Sequence, residues 1–140
     1  MMNSPAVIVH GLEMAHLALA PGRPVTLLSA EGAAAYAGVG WWQALVGQAR
    51  ASYPATPMQD ILDCGDAAGR ALEALRARQV LLVLRADPRI WDDIAGRAAA
   101  QGGVLLREAP PALDLAQRGA VLRLAAWLGA GTQGADDTFG

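Results

Sequence analysis

Five times along the chain a short run of branched or leucine side chains gives way to an alanine-rich segment. That alternation limits the folds open to it. The apolar runs are residues 6–10 (AVIVH), 24–30 (PVTLLSA), 59–64 (QDILDC), 80–86 (VLLVLRA) and 103–109 (GVLLREA). Their length and β-branched content predict strands. The segments between them, 11–20, 41–53, 67–78, 88–102 and 111–129, predict helices. Pro21-Gly22 stops the first helix and Pro54 ends the second. Pro88 opens the fourth, and a glycine pair follows it, the asymmetry expected of helix ends. Residues 31–40 form a small-residue connection with room for one helical turn, and Gly119 is a break within the last helix.

Strands that alternate with helices across short links require right-handed crossovers and a parallel sheet. The expected fold is therefore α/β: one domain over residues 1–128, a three-layer sandwich around a five-stranded parallel sheet. The flavodoxin-like strand order 2-1-3-4-5 is expected, with the (βα)5 half-barrel order 1-2-3-4-5 as the alternative. The glycine-rich tail, 129–140, is expected to be disordered.

Hydrophobic residues make up 54% of the chain and charged residues 17%, so an excess of apolar surface must be buried. A sheet covered on both faces absorbs part of it. A subunit interface absorbs the rest, and a homo-oligomer is expected. The 11 basic and 13 acidic residues leave a net charge of −2 and are interspersed, so no nucleic-acid partner is expected. Every basic residue is arginine. With no lysine there can be neither a Schiff base nor a P-loop. Cys64 is the single cysteine, which excludes an intramolecular disulfide and a thiolate metal cluster. The residues suggest no cofactor and no resident metal. The first residues lack the basic and apolar regions of a signal peptide, and no run is long enough to span a bilayer. The expectation is a cytoplasmic protein with no membrane partner.

In parallel sheets ligands gather beyond the carboxyl ends of the strands. There the sequence places His10, Ser29 with Glu31 beyond it, the run Asp63-Cys64-Gly65-Asp66, Arg85 with Asp87, and Arg107 with Glu108. With strands 1 and 3 adjacent, His10 and Asp63 would meet at the switch point and Ser29 would lie on the far side of His10. No nucleophile elbow surrounds Ser29, so a hydrolase triad is only weakly indicated. His10 and Asp63 are the candidate catalytic pair, and Ser29, Arg85 and Arg107 the candidate contacts for a small anionic ligand.

Other features read mainly as structure. Glu13 and His16 share a helix face, but one such pair does not make a metal site. Gly32, Gly38 and Gly40 do not match a phosphate-binding fingerprint. Cys64 is expected to pack as a small hydrophobe and Asp66 to cap the third helix. Trp41 and Trp42 point about 100° apart on a helix, one toward the sheet and one toward the surface, and together they form the candidate interface. The expected function is binding of a small anionic ligand by a self-associating domain. Whether a reaction occurs is left open. The alternatives are an interaction module without ligand chemistry, or a small hydrolase or lyase with His10 as base.

Overall fold

The computed structural model describes the backbone of residues 3–137 and the side chains through residue 129. The elements follow as β1 (Ala6–Ile8), α1 (Leu12–Leu19), β2 (Val25–Leu28), α2 (Ala33–Tyr36), α3 (Val39–Ser52), β3 (Met58–Asp63), α4 (Ala68–Arg76), β4 (Leu81–Val83), α5 (Pro88–Ala100), β5 (Val104–Leu106), β6 (Ala112–Asp114) and α6 (Ala120–Asp137). The fold is α/β with a parallel sheet and six helices, as the alternation requires.

The sheet corrects two expectations. It has six strands, and their order is β5-β4-β3-β2-β1-β6 in place of 2-1-3-4-5. The first five strands follow chain order, the arrangement of the half-barrel alternative, and β6 is added outside β1. The reason lies in residues 111–119. Read as the start of a helix, they instead form a short strand and a turn. Pro110-Pro111 delays helix formation, Leu113 and Leu115 alternate inward, and Gly119 takes φ +78° before α6 begins. The tail expected over 129–140 falls mostly outside the described side chains; α6 runs to Asp137.

The chain divides into two compact units. One comprises residues 1–28, 45–60 and 111–140, the other residues 29–44 and 61–110. In the first, β1 pairs in parallel with β2 on one side and β6 on the other. Ala6, Val7 and Ile8 stand opposite Thr26, Leu27 and Leu28, and opposite Ala112, Leu113 and Asp114. Val7, Val9, Leu19, Val25, Leu27 and Leu128 are fully buried, as expected of strands flanked on both sides. In the second unit β4 pairs with β3 and β5, and α5 packs on α4 and β5. Asp87 caps α5 by accepting the Arg89 amide at 2.9 Å, with Pro88 in the first helical position. The expected cap of α4 differs: its N-cap is Ala67, no side chain bonds there, and Asp66 is exposed. α4 ends in a Schellman turn. Arg78 occupies the left-handed region at φ 66°, and the Gln79 amide returns to the Ala74 carbonyl at 2.9 Å.

Candidate functional site

In the second unit the polar residues at the strand ends are mostly engaged with one another. Asp63, 2% exposed, closes β3. Its Oδ1 accepts the amides of Gly65 at 2.8 Å and Gly32 at 3.2 Å and lies 3.5 Å from the Arg85 guanidinium. A buried carboxylate is costly unless it is compensated, and these three donors supply the compensation. Both glycines are required by this arrangement. Each has positive φ, and a Cβ on Gly65 would lie 3.2 Å from the Gly32 Cα. The anion received by the glycine loop's Gly32 amide is therefore the chain's own Asp63.

Ser29 is equally committed. It is 1% exposed, its hydroxyl accepts the Asp63 amide at 2.9 Å and donates to the Ala30 carbonyl at 3.1 Å. Arg85 lies between two carboxylates, Asp63 at 3.5 Å and Glu31 at 3.7 Å. Arg107 stacks on the Trp91 ring, 3.8 Å from its centroid, and faces Asp92 at 3.8 Å. Cys64 is buried, and its thiol pKa is pushed from 9.0 up to about 12, first by burial and then by the charge of Asp63. It stays protonated and packs as a small apolar group.

His10, in the first unit, has a partner that the sequence reading missed. Its Nε2 lies 2.8 Å from Asp114 Oδ1, and the same oxygen accepts the Ala116 amide at 2.9 Å. The two residues are 104 positions apart and meet because β6 pairs with β1. The expected pairing with Asp63 required strands 1 and 3 to be neighbours, but β2 stands between them in the sheet order. β1 and β6 are neighbours in the sheet, with Ile8 opposite Asp114, so the residues that follow β1 lie beside the end of β6.

Asp114 also borders a cleft of about 440 Å³ between β6 and α6, lined by Ala112, Gln117, Arg123, Ala126 and Trp127. Arg123 makes no ion pair with any described residue, in contrast to Arg85 and Arg107. Trp127 donates its indole N–H to the Ala6 carbonyl at 2.8 Å, which fixes the ring. Asp114 and Gln117 were overlooked because residues 111–119 read as the start of the last helix, and Arg123, although correctly read as helical, had no cleft to line without β6. The signal available was Pro110-Pro111 followed by the Ala-Leu-Asp-Leu alternation and Gly119.

Among the remaining candidates, Trp42 is fully buried and Trp41 is 37% exposed, their rings 6.1 Å apart. His16 packs edge-on against Tyr53 at 5.4 Å. No group of three metal-ligating side chains occurs among the described residues, and no helix there is long and apolar enough to cross a membrane. Comparison with protein-family models and with curated proteins finds no match for the chain.

Proposed function

We propose that this protein binds a small anionic ligand in the cleft between β6 and α6, which runs along β6 from Ala112 to Asp114. Arg123 is the cationic contact and Asp114 the polar border. The observation that carries this reading is Arg123 itself. It lines a concave site and has no carboxylate partner among the described residues, whereas Arg85 and Arg107 are taken up by acids or by an aromatic ring. A guanidinium so placed suits a carboxylate or phosphate, which it can engage through two parallel hydrogen bonds. His10 acts here as a positioning residue. It holds one oxygen of Asp114 and so fixes the direction of the other.

The test is a thermal-shift and calorimetric series with acetate, citrate and inorganic phosphate on the full chain. At least one should raise the melting temperature. A ligand at one hundred times its Kd adds about 2.7 kcal/mol of stability. Arg123→Gln should abolish the shift and Arg123→Lys should retain part of it. Equal binding by wild type and Arg123→Gln would remove the basis of the proposal.

A second reading, self-association, is favoured by a separate observation. Tyr36 and Trp41 are 71% and 37% exposed and flank Gly38, where α2 passes into α3. Exposed aromatics of this kind are common at interface hot spots.

A further inference from the structure

The lining of the β6–α6 cleft specifies more than charge. Its volume, about 440 Å³, falls within the range of small-molecule sites, roughly 300–1,000 Å³. Ala112 and Ala126 leave the space open, and Trp127 forms a wall. Because the indole N–H is committed to the Ala6 carbonyl, the ring cannot serve as a donor to a ligand. It offers a fixed aromatic surface that needs no ordering on binding. Arg123 and Trp127 are four residues apart and so share a face of α6. A ligand held by the guanidinium therefore has the indole within its reach.

The polar groups at the other border are a carboxylate and an amide. The hydrogen bonds that Asp114 receives from His10 and Ala116 both fall on Oδ1, which leaves Oδ2 able to accept from a ligand. The Gln117 side chain lines the same border and adds a second acceptor and a donor.

We infer that the cleft selects aromatic carboxylates bearing a hydrogen-bond donor on the ring. The carboxylate sits on Arg123, the ring lies against Trp127, and the ring hydroxyl or N–H donates to Asp114 or Gln117. This names the ligand class of the site proposed above and rests on that reading.

The probe is 4-hydroxybenzoate. Its comparators are cyclohexanecarboxylate, which keeps the charge without the aromatic ring, and 4-hydroxybenzamide, which keeps the ring without the charge. Binding is followed on the indole N–H resonances of the four tryptophans, with Trp127 assigned from Trp127→Phe. The Trp127 resonance should move with 4-hydroxybenzoate, and its Kd should be at least about tenfold below that of either comparator. Arg123→Gln should erase the preference for the acid over the amide. Asp114→Asn should weaken 4-hydroxybenzoate more than benzoate. If cyclohexanecarboxylate binds as well as 4-hydroxybenzoate in an Arg123-dependent way, the aromatic class is wrong and the anion site stands. If none of the three moves Trp127 while acetate, citrate and phosphate ignore Arg123→Gln, both readings fall together.

Discussion

Asp63 shows how a residue with the look of a catalytic group can serve the fold. One oxygen collects two backbone amides and lies near a guanidinium, joining the turn after β2 to the turn after β3 and to Arg85. Asp63→Asn keeps the shape but gives up the charge, and hydrogen bonds to charged groups contribute about 1.5–3 kcal/mol. Urea unfolding should show a loss of that size. Ser29→Ala strands the buried Asp63 amide and should cost about 1–3 kcal/mol. If both variants unfold with wild type, Asp63 is not holding these turns. Next to it, Cys64 has a different signature. Its folded pKa lies above its unfolded one, so the stability it contributes is complete below pH 9.0 and drains away as pH rises toward about 12. In that window the unfolded thiol has lost its proton and the folded one has kept it. The slope from this group is up to about 1.4 kcal/mol per pH unit. Iodoacetamide should accordingly leave native Cys64 unmodified at pH 8 and alkylate it in urea. Alkylation of the native protein at the unfolded rate would show an exposed thiolate.

Among the elements, the glycine turns separate backbone strain from steric conflict. Gly65 and Gly119 both have positive φ, at +58° and +78°. A Cβ on Gly119 would meet nothing within 4 Å, whereas one on Gly65 would press on the Gly32 backbone at 3.2 Å. Gly119→Ala should therefore cost only the left-handed penalty, about 1–2 kcal/mol. Gly65→Ala should cost more, because the Asp63 bonds to both turns must also shift. Equal losses in denaturant midpoints would mean that the Gly32–Gly65 approach can relax freely. The same turns explain what could be read from the chain in advance. The first five strands and their helices announced themselves because each apolar run is bounded by proline, glycine or a charged residue. β6 did not, because Ala112-Leu113-Asp114 has no β-branched residue and, with Ala116 just beyond, suits a helix equally well. Everything that depended on β6 was lost with it: the strand order, the His10 partner and the cleft with Arg123. Ser29, Asp63 and Arg85 were correctly placed at strand ends, but their mutual bonds arise from the loop conformations of Gly32 and Gly65, which no pattern of hydrophobicity encodes.

For the molecule as a whole, apolar composition bears on assembly. At 54% hydrophobic and 17% charged, the chain is more apolar in composition than a typical soluble domain. Trp42 cannot be part of an interface, because it is fully buried within the chain. Trp42→Ala would read core stability, with a loss of about 3–5 kcal/mol, and would say nothing about assembly. Among the described residues, Tyr36 and Trp41 are the exposed aromatics available to meet a second copy. Sedimentation velocity at micromolar concentration should find the wild type above the mass of one 14.5 kDa chain. Tyr36→Ser with Trp41→Ser should bring it to that mass. The double variant's melting temperature, extrapolated to low protein concentration, should match wild type, since an interface contributes to stability only by mass action. A wild type that sediments as a single chain throughout would end the assembly reading. It would leave the cleft beside β6 untouched, because that site is built from one chain's own strand and helix.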